Sequence, residues 1–199
     1  ELLAILSQFA LEEKVVSAEP FGNGHINDTL KVTTDKGEIK YVLQRINHLV
    51  FTNVEMLQHN IHVVTTHIRE KLEAKGETDI DRKVLTFLPT KDGKYYYFDG
   101  DSYWRVCLFI PRSKSYEEVT PELSYEAGKA FGDFQLMLSD LPEGSLGETI
   151  PNFHNMEFRL QQFHEAVEAN AAGRLEEVKD LVEEIEKRAE AMCIQERLY

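Results

Sequence analysis

The chain has 199 residues, enough for one large domain or two small lobes, and its 42% hydrophobic and 29% charged residues are ordinary for a globular protein. A formal net charge of −13, with no stripe of Lys or Arg to offset it, speaks against a nucleic-acid partner. Cys107 and Cys193 form no C-x-x-C pair, which points to a reducing cytoplasm, and no stretch nears the roughly 20 apolar residues that span a bilayer.

Residues 1–11 place Leu2, Leu3, Ile5, Leu6, Phe9 and Ala10 on one broad helical stripe, so a short packing helix is predicted first. Because the first residue is Glu1 and not Met, the natural chain is expected to begin upstream. A Gly-rich stretch follows, Phe21-Gly22-Asn23-Gly24-His25-Ile26-Asn27-Asp28, led by Val15 and Val16 and left by the alternating run Thr29–Thr34. That reads as strand, turn, strand. Gly22 and Gly24 free the backbone to take positive φ and approach a ligand. Asn27 stands where a G-x-G-x-x-G loop has its third glycine, and Asn tolerates a left-handed conformation best after Gly. The N–H groups of such a tip suit phosphate oxygens, while an ordinary hairpin explains the loop when it is taken alone.

Asp35–Glu38 is a turn and Ile39–Ile46 a third strand. A helix is predicted from about Asn53 to Ala74, with Val54, Leu57, Ile61, Val64, Ile68 and Leu72 on one face. Thr52-x-x-Glu55 reads as its capping box and Gly76 as its stop. Strands are predicted at about Lys83–Leu88, Tyr95–Phe98 and Ser102–Ile110, turned by Asp92-Gly93 and Asp99-Gly100. Pro111–Val119 breaks the pattern. Beyond it the periodicity is helical, at Glu122–Ser139, Met156–Asn170 and Arg174–Arg197. The chain thus divides into a sheet-based lobe (1–110), a connector (111–119) and a helical part (120–199), and such a junction is a default place for a ligand.

The order of these elements, with several local sequences, resembles a known family. Gly24-His25-Ile26-Asn27-Asp28-Thr29-Leu30-Lys31-Val32 is similar to the nucleotide loop of the aminoglycoside phosphotransferase/choline kinase superfamily. Ala127-Gly128-Lys129-Ala130-Phe131-Gly132-Asp133-Phe134-Gln135-Leu136-Met137-Leu138 resembles its first large C-lobe helix. Tyr41-Val42-Leu43-Gln44-Arg45-Ile46-Asn47-His48, and Tyr103-Trp104-Arg105 leading to Phe109-Ile110-Pro111-Arg112-Ser113, are similar to the bacterial N-acetylhexosamine 1-kinases. The resemblance implies an α+β, protein-kinase-like fold, with an antiparallel-sheet N-lobe holding one long helix, followed by the start of a helical C-lobe. It implies transfer of the γ-phosphoryl of ATP, with Mg²⁺, to a sugar hydroxyl, the anomeric 1-OH of an N-acetylhexosamine. The implied partner is a small amino sugar, with neither nucleic acid nor membrane.

By the same resemblance, Gly22, Asn23, Gly24, His25, Ile26 and Asn27 cover the phosphates. Phe109 and Ile110 offer backbone groups to the adenine edge, and Val42 with Leu30 or Val32 sandwiches the ring. His154 is a candidate toward the sugar. Protein kinases carry a Lys on the third strand, paired to a helix Glu. Here Gln44 takes that place, with Arg45 beside it on the other strand face, and Glu55 is the nearest helix acid, equally readable as a cap residue.

No H-x-D-x-x-x-x-N segment occurs, so the catalytic Asp and metal ligands are expected beyond residue 199, and the chain reads as an N-terminal fragment without turnover of its own. A choline- or aminoglycoside-type small-alcohol kinase and a non-catalytic nucleotide-binding pseudokinase remain open. A sulfatase is excluded, because Cys107-Leu108-Phe109-Ile110-Pro111-Arg112 lacks the C/S-x-P-x-R spacing. His59, His62 and His67 lack a zincin pattern and imply no metal. Cys107 reads as a small buried apolar residue.

Overall fold

The structure, a computed structural model, describes residues 1–22 and 24–194. The chain forms two compact units, Glu1–Thr149 and Ile150–Tyr199. In the first, α1 (Leu2–Leu6) precedes β1 (Val15–Pro20), β2 (Asp28–Thr34) and β3 (Ile39–Ile46). Then come α2 (Val54–Ala74), β4 (Phe87–Leu88), β5 (Tyr97–Phe98), β6 (Tyr103–Leu108) and α3 (Pro121–Leu138). The fold class is α+β. The strands form one antiparallel sheet in the order β1-β2-β3-β6-β4, with β5 also paired to β6.

The sheet is built around β3, which lies between β2 and β6. Strand side chains alternate between faces, so Tyr41 and Leu43 go to one side and Val42 and Gln44 to the other. The first side is the core: Tyr41 and Leu43 meet Val32, Trp104 and Val106, with Ile5, Leu6 and Phe9 covering them. The opening helix ends sooner than the stripe predicts. After Leu6 the backbone turns to pair with the segment beside β4, where Phe9 bridges Thr90 and the Ala10 N–H donates to the Pro89 carbonyl (2.9 Å). β4 is likewise shorter than expected, because Lys83 and Val84 close a 3-10 turn on Ile80 through N–H bonds of 2.8 and 3.0 Å.

The cap of α2 is Asn53, whose Oδ1 accepts from the Met56 N–H at 3.0 Å; the expected Thr52–Glu55 box is displaced by one residue. Ile68 and Leu72 pack against Val84, Ile80, Met137 and Leu138. The polar side of α2 clasps the segment after α3. Lys71 Nζ donates to the Met137 carbonyl (2.7 Å) and pairs with Asp140, which also receives His67 Nε2 at 2.9 Å. Asn60 exchanges two hydrogen bonds with the backbone of Gly147, at 2.6 and 2.9 Å.

The second unit holds α4 (Met156–Ala169), capped by Asn155, and α5 (Lys179–Met192), preceded by a 3-10 turn at Leu175–Val178. His164 and Glu186 join these two helices at 2.9 Å. The expected single helix from Arg174 is therefore split, and residues 195–197 of that expectation lie outside the described ones. No helix among the described residues is long and apolar enough to cross a membrane.

The division of faces is open to measurement. Leu43→Ala, at a fully buried position, is expected to cost about 2–5 kcal/mol in urea denaturation. Val42→Ala, half-buried on the other side, is expected to cost less than half as much; a larger loss at Val42 than at Leu43 would mean that the faces are inverted. The clasp carries a pH signature. Hydrogen bonds from Lys71 and then His67 pull the Asp140 carboxyl down to about 2 from its ordinary 3.8. A lowered folded-state value stabilises above the unfolded value and is lost as pH falls toward 2. Asp140→Asn should thus lower the Tm at pH 7, and the gap to wild type should close between about pH 4 and 2.

Candidate functional site

On the sheet face opposite the core, cross-strand pairing sets two rows of side chains. Thr29, Gln44 and Arg105 form one, from β2 through β3 to β6; Lys31, Val42 and Cys107 form the next. Gln44 is held on both sides, its Nε2 donating to Thr29 Oγ1 (3.1 Å) and its Oε1 accepting from Arg105 Nε (2.9 Å). The Arg105 guanidinium lies over the Phe87 ring at 5.4 Å. Its Nη1 is enclosed and has no hydrogen-bond partner among the described residues. Burial lowers the basicity of this guanidinium, yet an arginine stays charged. Burial also pushes the Cys107 thiol up to about 11, so it is a protonated, inert wall.

A mostly apolar cleft of about 480 Å³ lies between α2, the segment leading into β4 and Phe134 of α3, lined among others by Asn60, Val64, Thr65 and Phe87; of the two rows only Arg105 reaches its wall. A second cavity, of about 310 Å³, sits at the strand ends beside the Gly-rich tip, bordered by Ile26, Asp28, Arg45, Asn47 and Ser102.

Several expected site residues fall elsewhere. Leu30 and Val32 cannot flank a ring held by Val42, because they lie on the core face, Val32 wholly buried. The same-face neighbour of Val42 on β2 is Lys31, which pairs with Glu19 at 3.5 Å. Asn27 acts through its side chain and not through a left-handed backbone: its Oδ1 accepts the Asn47 N–H at 2.9 Å, tying the Gly-rich tip to the end of β3.

Gly22 takes φ +81°, where glycine is needed, whereas a Cβ on Gly24 would meet only the Asn27 carbonyl oxygen at an ordinary 3.6 Å. His25 and Ile26 are exposed on the tip, and Asn23 lies outside the described residues. Arg45 is on the face opposite Gln44, exposed and paired with Asp28. Glu55 stands in the first turn of α2 with His59, His62 and Tyr95 around it, and no bond joins it to Gln44 among the described residues. The Phe109 N–H is spent on the Lys40 carbonyl (2.9 Å), while its ring meets Phe21 of the tip edge-on at 5.8 Å; Ile110 lies just past the end of β6. His154 belongs to the second unit, edge-on to Phe153 at 4.7 Å.

The three helix histidines diverge. His59 donates to the Ser145 carbonyl (3.1 Å), His62 stacks on Tyr95 and His67 meets Asp140. Among the described residues no group of three or more His, Cys, Asp and Glu side chains is placed to hold a metal ion. Arg105 is the residue that sequence reasoning passed over. The signal was available: Tyr103-Trp104-Arg105-Val106-Cys107-Leu108 is apolar or aromatic at every position except Arg105, as in a strand covered on both faces, so the arginine is at least partly buried. The chain matches no protein-family model.

The tie at the tip predicts that Asn27→Ala costs about 1 kcal/mol in urea denaturation, with Asn27→Asp, which keeps the acceptor, recovering most of it. Gly22→Ala is expected to cost about 1–2 kcal/mol for its left-handed backbone. No loss at either position would show that the tip is not held as described.

Proposed function

We propose that the chain is the nucleotide-binding lobe, with the start of a helical lobe, of a protein-kinase-like phosphotransferase that uses ATP to phosphorylate a sugar hydroxyl. The observation that carries the reading is one of order: a glycine-tipped β1–β2 hairpin, then β3, a 21-residue α2, and a return to β4 and β6 beside β3. The local sequences similar to N-acetylhexosamine 1-kinases favour an amino sugar phosphorylated at its anomeric oxygen.

In that reading the tip covers the triphosphate, the purine lies under Val42 and Cys107, and Phe21 with Phe109 closes the outer edge. Transfer breaks the bond from the γ-phosphorus to the β–γ bridging oxygen, forms one to the sugar oxygen and passes the hydroxyl proton to a carboxylate base. Catalysis of this kind is mostly positioning and charge stabilisation. Mg²⁺ accompanies ATP in such enzymes, but the described residues do not fit a metal site, and none of their roles runs through it. The base and metal ligands are assigned to sequence beyond residue 199, since no H-x-D-x-x-x-x-N segment is present.

Titration calorimetry with Mg-ATP tests the binding step, and labelled-ATP transfer to N-acetylhexosamines, choline and an aminoglycoside tests the chemistry. Saturable binding without turnover is expected of these 199 residues, and turnover on N-acetylhexosamines of the full-length protein. Absence of ATP binding would overturn the nucleotide reading. Turnover on choline or the aminoglycoside alone would keep the kinase and remove the sugar.

A further inference from the structure

We infer that Arg105, on β6, is the cation that holds a phosphate of the nucleotide, in place of the lysine that such a fold carries on β3, and that Gln44 is its positioning residue. This role rests on the nucleotide reading above and adds to it the identity of the missing charge. Four observations carry it. The first is position. Arg105 is directly opposite Gln44 in the β3–β6 ladder and shares its face, so the guanidinium arrives one strand away from where a β3 lysine would stand.

The second is charge balance. Arg45, Arg69, Arg174 and Arg188 each hold a carboxylate, at Asp28, Asp81, Glu177 and Glu184. Arg105 has no carboxylate partner among the described residues, and its Nη1 has no acceptor. A partly buried charge with one enclosed N–H group unpaired is destabilising, and an anion at the guanidinium would relieve it.

The third is preorganisation. Gln44 Oε1 fixes Nε, and the Phe87 ring supports the guanidinium plane, so the fork is aimed by two contacts and little rotamer freedom is left to lose. The fourth is access. Arg105 forms part of the wall of the 480 Å³ cleft beside α2, which gives a ligand a way in.

A phosphate oxygen matches this fork in charge and in geometry. Neither Gln44, which is neutral, nor Lys31, already paired with Glu19, meets the requirement as closely. Adenosine, ADP, ATP and tripolyphosphate are the probes, with Mg²⁺ throughout, against the wild type, Arg105→Met and Arg105→Gln. The wild type is expected to prefer ATP to adenosine by at least tenfold. In both variants that preference should fall to within about threefold, with adenosine affinity unchanged, and tripolyphosphate should cease to raise the Tm.

In the free state Arg105→Gln should melt no lower than the wild type, since it removes a partly buried charge without a carboxylate partner while still offering Gln44 a donor; a residue that merely props the sheet would lower it. If the Met variant fails to fold, Arg105→Gln, which keeps a donor toward Gln44, gives the same comparison. An ATP-to-adenosine ratio that survives either substitution overturns the role of Arg105 and leaves the nucleotide reading standing. A wild type that binds no nucleotide removes both. Tripolyphosphate protection that depends on Arg105 without any adenosine binding would show an anion site but overturn its assignment to a nucleotide.

Discussion

The pleat of β3 governs the molecule. Because its side chains must alternate and because β2 and β6 flank it, every residue from Tyr41 to Ile46 is committed to one of two environments. Tyr41 and Leu43 are thereby sent to the core with α1, and Val42 and Gln44 to the face that α2 overlooks. A slip of one residue would exchange these sets, placing Gln44 among Val32, Trp104 and Val106, where its amide would have no partner. The hydrophobic core and the candidate site are thus two faces of one strand. Neither can move without the other.

The second constraint is the polar clasp of α2. A helix whose apolar stripe buries Val54, Ile68 and Leu72, with only the last two packed against the elements around Val84, would have limited hold on α3 and the loop after it. Hydrogen bonds make up the difference. Asn60 reads the Gly147 backbone as a paired strand would, His59 and His67 reach Ser145 and Asp140, and Lys71 satisfies the carbonyl at the end of α3. The histidines that sequence spacing put on one helix are explained by these contacts. His59 and His67 serve separate acceptors and His62 stacks on Tyr95, so the three do not converge on one point.

How much was legible in the sequence depended on whether the signal was local. The Tyr41–Ile46 alternation, the apolar period of α2 and the Asp-Gly turns each lie within one element, and those elements stand close to where they were expected. Gly93 and Gly100 take positive φ at those turns, and Asp99 accepts from the Asp101 and Ser102 N–H groups and from Trp104 Nε1. Register between strands is not local. Leu30 and Val32 look equivalent to Val42 along the chain, and only the pairing of Lys31 with Val42 reveals that they face the other way. Thr52 and Asn53 are both good caps, and one residue of phase decides between them. Packing also overrode periodicity at the start, where backbone pairing with the segment beside β4 ended the helix at Leu6.

An arginine in the Thr29–Gln44–Arg105 row differs in kind from a lysine on β3. A buried ammonium changes its proton affinity readily, so a lysine in the place of Arg105, facing the apolar cleft, would be prone to lose its charge. A guanidinium keeps its charge under the same desolvation, and its flat face can rest on Phe87 while its edge remains directed. The arrangement has a cost of its own. Arginine's fork needs an acceptor at Nε, which is the carbonyl end of Gln44, and that amide then needs an acceptor for its nitrogen, which is Thr29. Three side chains on three strands therefore act as one network, in which removing any member leaves a neighbour unsatisfied. Gln44 meets both needs at once, because its amide oxygen accepts from Arg105 while its nitrogen donates to Thr29.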